Sequence, residues 1–203
     1  MRPYLLLFGC AALFVLGCQE SPPKGKRGGL DAVGNHKKPG FDDVANDVKL
    51  DDSGGEVRLE SLTLIAPKGW GRKAPQSKFI LAEYVLPRVE GDKLDARLTL
   101  SVAAGTIEAN IGRWKDQFGG NPEKSHQEKI DVNGMTVTLV DFYGDYNDQR
   151  GPGAPAVKRP DFRMIAAIIP VGDQLHFVKA VGPKKTMESY AEKIRAFIDS
   201  AKK

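Results

Sequence analysis

An uncharged apolar run near the start of the chain determines how much of the sequence can form a globular domain. Residues 4–16 carry no charged side chain, and Arg2 precedes them. A helix that spans a membrane needs about 20 apolar residues, whereas a secretory signal peptide needs a core of about 7–15 behind a positive charge. This run of 13 residues therefore predicts a signal peptide over residues 1–17, and the fold must be built from the residues after it.

The run ends in Gly17-Cys18 after Leu16, which resembles the lipobox of bacterial lipoproteins. In that family the cysteine is acylated, commonly with palmitate, and the chain is cut immediately before it. The resemblance implies a lipid-anchored mature chain that begins at Cys18 in the cell envelope, in the outer membrane or on the periplasmic face of a membrane. Two or more acyl chains anchor a protein stably. Cys10 as the acylated residue, an uncleaved anchor and an ordinary cleaved secretory peptide are the alternatives.

The next segment of the chain is typical of a linker. Residues 18–55 are rich in Gly and Pro, carry their charges in blocks and have few large apolar residues. Such a sequence cannot bury enough apolar surface to offset the entropy of ordering. We therefore expect a disordered tether over residues 18–55 and one globular domain over residues 56–203.

Cysteine content and charge exclude several classes of protein. Both cysteines lie in the first 18 residues, and the net charge is +4 with acids and bases interleaved. The predicted domain therefore has no disulfide and no cysteine-based metal site, and it lacks the concentrated basic stripe of a nucleic-acid-binding protein. The three histidines have no zinc-binding spacing, and no Gly-x-Ser-x-Gly elbow or phosphate loop occurs. We expect no enzymatic activity and no cofactor.

Hydrophobic periodicity predicts an α+β domain with a largely antiparallel sheet and two amphipathic helices. Asn133-Gly134 between two apolar runs is the strongest hairpin signal. We expect a long loop over residues 144–160, and we expect Thr186 to cap the last helix. Predicted strands cover residues 57–65, 79–86, 96–103, 129–132, 135–142, 162–171 and 175–181, and the helices begin near residues 106 and 186.

Several of these features together resemble a known family. A strand leads into Pro67-Lys68-Gly69-Trp70, a central helix carries Trp114, and a hairpin, a long loop and a C-terminal helix come after it. This order is similar to the PsbP-like fold of photosystem II extrinsic proteins and their bacterial relatives. Residues 95–114 also resemble uncharacterised lipoproteins of planctomycete-type bacteria. The resemblance implies a binding or assembly-support domain without a known active site. Trp114 is expected in the core, and Trp70 is expected to be a core plug rather than an exposed contact.

Two groups of residues around the predicted loop are candidate binding sites. Asp141, Asp145 and Asp148 form an oxygen-rich cluster that makes a weak cation site, although the spacing of a calcium-binding EF loop fails. Tyr143, Tyr146 and Arg150 are residue types favoured at protein interfaces.

The sequence therefore predicts a membrane-anchored, non-enzymatic lipoprotein that binds an envelope protein or supports assembly. The alternative is a small-ligand or divalent-cation binder that uses residues 141–148.

Overall fold

The computed structural model describes residues 50–75, 77–149 and 155–203. The predictions for the signal peptide, Cys18, most of the tether and Arg150 lie outside these residues. Two helices and nine strands form the described structure. In chain order these are β1 (Gly55–Leu59), β2 (Leu62–Ala66), β3 (Gly71–Lys73), β4 (Ala82–Leu86), β5 (Ala96–Ala103), α1 (Ile107–Asp116), β6 (Lys124–Val132), β7 (Met135–Asp148), β8 (Val157–Val171), β9 (Gln174–Pro183) and α2 (Lys184–Asp199).

Seven of the strands form one antiparallel sheet in the order β3-β4-β5-β9-β8-β7-β6, and β1 and β2 form a separate hairpin. Helix α2 and the β1–β2 hairpin cover one face of this sheet, which we call the α2 face, and α1 packs on the opposite α1 face. The predicted α+β class, with a largely antiparallel sheet and two packed helices, is confirmed.

The β6–β7 connection is the predicted hairpin. Val132 pairs with Met135, so the turn has two residues, and Asn133 and Gly134 have φ angles of 49° and 77°. Positive φ at both central positions is the type I′ turn that matches the twist of antiparallel strands. The turn fixes the register of β6 against β7.

The α2 face holds the larger core. Trp70 is 1% exposed, and its ring lies 5.3 Å from that of Phe197 and 6.1 Å from that of Tyr84. Both contacts are edge-to-face, the arrangement that aromatic pairs prefer. The expectation that Trp70 plugs the core is confirmed.

Helix α1 forms where its capping residue and apolar stripe predict it. The Thr106 side chain accepts the amide of Ala109 at 3.1 Å and so caps the first turn. Ile111 is buried on the α1 face, and Trp114 packs edge-on against Phe177 with 5.6 Å between the ring centroids. Trp114 thus joins the core as a partly buried residue.

The first predicted strand is wrong. Residues 57–65 form the β1–β2 hairpin, in which Leu59 pairs with Leu62 and Glu60 turns the chain with a φ of 52°. The alternation of apolar residues changes phase near Ser61, and this change marks the reversal of the chain. Thr63 also exchanges both backbone hydrogen bonds with Lys202, at 2.8 and 2.9 Å, so residue 202 lies beside β2.

The start of the folded region also differs from expectation. The carbonyl of Asp51 accepts the amide of Arg72, and that of Asp52 accepts the amide of Gly69. These two residues of the predicted tether therefore pack on the domain.

Thr186 does not cap α2, because the helix begins at Lys184 and Thr186 is buried within its first turn. The cap is supplied instead by Asp92, from the β4–β5 connection. Its carboxylate accepts the Thr186 amide at 2.8 Å and the Thr186 hydroxyl at 2.6 Å. A single carboxylate thus satisfies an unpaired helix donor from another part of the chain.

The long loop predicted over residues 144–160 is also wrong. Strands β7 and β8 continue to Asp148 and from Val157, with a register shift at Gly144–Tyr146. We call this extension, residues 145–148 and 157–161, the arm. The Asn147 amide donates to the Gln117 carbonyl at 2.7 Å, which places the arm against the end of α1. The sequence does not indicate these strands, because the segment is rich in polar residues and the bulge interrupts the alternation of side chains between the two faces.

Candidate functional site

A groove lies between α2 and the end of the sheet on the α2 face. Its volume is about 150 Å³. We call it the α2–β6 groove, and it is lined by His126, Glu128, Leu139, Val140, Asp141, Arg163, Ile165, Ala191, Arg195 and Ile198. Leu139 and Ile165 supply apolar side chains to its floor, and the charged residues stand around them.

The strand register explains why this end of the sheet stays open. Helix α2 packs over one end of β6, where Val132 is buried, whereas His126 at the other end is exposed. His126 lies opposite Asp141, and Asp141 lies opposite Ile165. Cross-strand neighbours share one face of a sheet, so an apolar strand position and two polar ones lie side by side next to the helix.

Ion pairs hold the polar residues of the groove. Arg163 donates Nε and Nη2 to the two oxygens of Asp141 at 2.9 and 2.7 Å, a bidentate contact that fixes both side chains. Across the groove, Arg195 of α2 lies 3.2 Å from a carboxylate oxygen of Glu128 on β6. The rim is therefore charged but largely neutralised.

Tyr143 lies beside the groove residue Arg163, within a cluster of cations. The Arg163 guanidinium is 4.8 Å from the centre of its ring, and the ammonium groups of Lys124 and Lys184 are 5.8 and 5.9 Å away. Partial burial and, next, the charge of Asp141 raise the pKa of the Tyr143 phenol. The phenol therefore stays neutral and can donate a hydrogen bond at physiological pH.

The other predicted contact residues fall elsewhere. Tyr146 is only 6% exposed and stacks on Phe162, with ring centroids 5.9 Å apart, so it is a core residue rather than a surface contact. Its apolar partners are far away in the sequence, which is why the sequence alone suggested exposure. Arg150 lies outside the described residues.

The predicted carboxylate cluster is divided among three ion pairs. Asp141 binds Arg163, Asp145 lies 2.7 Å from the Lys158 ammonium, and Asp148 lies 3.8 Å from Arg159. Within residues 50–75, 77–149 and 155–203, no group of three His, Cys, Asp or Glu side chains is arranged to hold a metal ion. A cation at these aspartates would have to displace basic partners from β8.

Sequence reasoning missed the residues that α2 and β6 contribute to the groove. Ala191, Arg195 and Ile198 are spaced three and four residues apart, which is a signal for one face of a helix. That spacing predicts which residues share a face of α2, but it does not predict which strand lies next to that face. The proximity of α2 to His126 and Glu128 depends on the order of strands in the sheet.

A second polar cluster lies on the α1 face. Glu83 is 5% exposed, and both of its carboxylate oxygens accept hydrogen bonds from Arg97 at 3.0 Å. Nearby, the Lys179 ammonium donates to the Gln117 side chain and lies 5.8 Å from the Tyr146 ring. Burial, together with the charge of Arg97, lowers the pKa of Lys179 to about 7.

Comparison with known proteins gives likenesses of fold. The domain is similar to the cyanobacterial PsbP protein CyanoP of Synechocystis sp. PCC 6803, with 10% identity, a TM-score of 0.46 and coverage of 74% of this chain and 92% of that one. It is also similar to PA94, a protein of unknown function from Pseudomonas aeruginosa, with 12% identity, a TM-score of 0.42 and coverage of 72% and 94%. A protein from Bacteroides thetaiotaomicron has 11% identity and a TM-score of 0.40, and the match covers 48% of that chain.

The expected likeness to a PsbP protein is thus found among solved structures. No family model and no curated protein sequence matches the chain. The likeness to planctomycete-type lipoproteins stays a prediction. Among the described residues, no helix has the length and apolar character needed to cross a membrane.

Proposed function

We propose that this protein is a lipid-anchored component of the bacterial cell envelope whose domain binds a partner protein through the α2–β6 groove, without catalysing a reaction. The anchor is Cys18, which comes after a short apolar run and Gly17. The observation that carries the binding role is the groove itself, with its apolar floor and its charged rim, in which Arg163 contacts Tyr143.

The composition of the groove favours a protein ligand. Protein interfaces combine an apolar centre with a polar rim, and Tyr and Arg are enriched among the residues that dominate binding energy. A volume of about 150 Å³ suits one or two side chains rather than a whole metabolite, since small-molecule pockets usually occupy about 300–1,000 Å³. Lys124 and Lys184 at Tyr143 favour an acidic residue beside the inserted apolar one, since the charge of Arg163 is already paired with Asp141.

The anchor is tested by replacing Cys18 with Ser in cells and by mass spectrometry of the native protein. We expect the wild-type chain to carry acyl groups on an N-terminal Cys18 and to fractionate with membranes. The Cys18→Ser protein should be released or remain as an unprocessed precursor. An unmodified Cys18 in the mature wild-type protein would show that the anchor is wrong.

The binding site is tested by crosslinking in native membranes and then affinity capture. Ala191→Arg fills the groove from α2, and Ala109→Arg places the same side chain on the exposed surface of α1. We expect Ala191→Arg to lose a crosslinked partner that the wild type and Ala109→Arg both capture. Equal capture by all three proteins would remove the groove from the proposal.

A further inference from the structure

The turn before β4 exposes more apolar surface than a solvated loop requires. Phe79 is 71% exposed and Leu81 is 44% exposed, with the partly buried Ile80 between them. Phe79 is the most exposed large hydrophobic residue in the part of the chain that the structure describes. We call residues 77–81 the β4 tip.

The tip holds these side chains on a defined turn. The Ser77 hydroxyl accepts the Phe79 amide at 3.3 Å, and the Ser77 carbonyl accepts the Ile80 amide at 3.0 Å. At the other end, the Leu81 amide donates to the carbonyl of Leu100 in β5 at 2.8 Å. The exposed phenyl ring is therefore presented by backbone that the sheet already positions, so little ordering entropy is lost when it is buried.

The excess charge around the tip is positive. Residues 71–82 contain Arg72, Lys73 and Lys78 and no acidic residue. Asp51 lies beside Arg72 through a backbone pairing, and Lys73 lies opposite Glu83, whose carboxylate is bound by Arg97, so the excess charge is positive. The Lys78 ammonium is 5.4 Å from the centre of the Phe79 ring, so cation and apolar ring share one surface.

We propose that the β4 tip inserts into the interfacial region of an anionic lipid membrane. The Phe79 ring and the two aliphatic side chains suit the apolar boundary of the acyl chains. The flanking lysines suit the negatively charged head groups. A stable protein interface buries about 800 Å² on each partner, which is more than the single turn of the tip can supply, so a lipid surface is favoured over a protein partner. This inference rests on the proposed membrane anchor, because a tethered domain meets the lipid surface at high effective concentration.

Insertion at this place would also orient the domain. The tip precedes β4 near the β3 edge of the seven-stranded sheet, and β6, which lines the groove, forms the opposite edge. With the β4 tip in the lipid, the α2–β6 groove would face away from the membrane and toward other envelope proteins.

The test places a fluorescent reporter at the tip of the full chain. Phe79→Trp protein is reconstituted into vesicles of phosphatidylcholine and phosphatidylglycerol with brominated acyl chains, and the signal of the parent protein, from Trp70 and Trp114, is subtracted. We expect the new Trp to shift to shorter wavelength and to be quenched by the brominated lipid. The matched control is Val157→Trp on the arm, another exposed apolar position, which should stay accessible to aqueous acrylamide.

Fluorescence is measured only on protein that floats with the vesicles. Flotation therefore tests the anchor, and the fluorescence of the reporter tests the tip. Floating protein whose Trp at position 79 remains accessible to acrylamide overturns the tip proposal and leaves the anchor intact. Chain that does not float overturns the anchor and, with it, this inference. Protection of the reporter only when native membrane proteins are added would identify a protein surface instead and would also overturn the proposal.

A charge variant tests the head-group contact. Lys73→Gln with Lys78→Gln should lower quenching of the reporter on phosphatidylglycerol-containing vesicles, since each lysine near an anionic surface contributes about a fivefold factor in binding. Quenching on vesicles of phosphatidylcholine alone should be the same with and without the two lysines. Equal quenching of both proteins on the anionic vesicles would contradict the role of charge.

Discussion

The two faces of the seven-stranded sheet are covered by a helix each, yet they are held in different ways. On the α2 face, 25 buried residues form one apolar cluster, and on the α1 face 11 do. The α1 face has the Glu83–Arg97 pair and Lys179 within its core, whereas the α2 face has the Asp141–Arg163 pair at its groove and the buried His176. Apolar packing is insensitive to pH, whereas buried ionisable groups are not. We therefore expect the α2 face to set the stability of the domain and the α1 face to make that stability depend on conditions.

The largest expected effect is the loss of the core tryptophan. Trp70→Ala should lower the free energy of unfolding by about 3–5 kcal/mol, because it removes a fully buried aromatic side chain. Trp114→Ala, on the α1 face, should cost less than half as much, because Trp114 is only partly buried. Urea denaturation of both variants measures this difference. Equal losses would mean that the two cores contribute alike.

The second effect concerns the buried ion pair. Arg97→Met leaves the Glu83 carboxylate buried without its partner and should destabilise the domain by about 2–4 kcal/mol. Adding Glu83→Leu should restore most of that stability, since an apolar pair of similar volume often replaces a buried ion pair at little cost. If the double variant is as unstable as the single one, the pair has a structural role that packing cannot replace.

The third effect is a pH dependence on the α1 face. The pKa of Lys179 is about 7 in the folded protein against about 10.4 for a free lysine. Between these values the unfolded chain holds more protons, so the penalty for burying Lys179 is fully present below pH 7 and is relieved as the pH rises toward 10. Stability should increase across that window by at most about 1.4 kcal/mol per pH unit.

Lys179→Met should remove this slope, and Lys129→Met, at an exposed position of β6, should keep it. The groups that face Lys179 are Gln117 at the end of α1, Arg97 of β5 and the arm residues Tyr146 and Asp148. An unchanged slope in Lys179→Met would assign the pH dependence to another group.

The smallest effect is expected on the α2 face. His176 of β9 is completely buried, and neither ring nitrogen has a hydrogen-bond partner among the described residues. An unsatisfied buried polar group costs about 1–3 kcal/mol. His176→Leu should therefore leave the thermal midpoint unchanged or raise it by a few degrees, with a gain of about 1 kcal/mol. A marked fall would indicate that the imidazole has a partner in solution.

The success of prediction from sequence depends on the range of the interaction. Asn133-Gly134 and Thr106 act on their immediate neighbours, so the hairpin and the start of α1 were predicted correctly. Tyr146 and Thr186 were misassigned because their environments come from Phe162 and Asp92, which only the folded chain brings close. Of the candidate site, the sequence predicts Tyr143 as a contact. The α2 side of the groove cannot be predicted without knowing the order of the strands in the sheet.

The backbone pairing of Thr63 with Lys202 has a consequence for the order of folding. An isolated two-stranded hairpin is marginally stable in water, and the β1–β2 hairpin obtains part of its backbone pairing from a residue near the other end of the chain. A chain emerging from the ribosome or from a translocation pore makes β1 and β2 early but completes their edge only when residue 202 is free. The β1–β2 hairpin therefore remains without these contacts until residue 202 has been synthesised or exported.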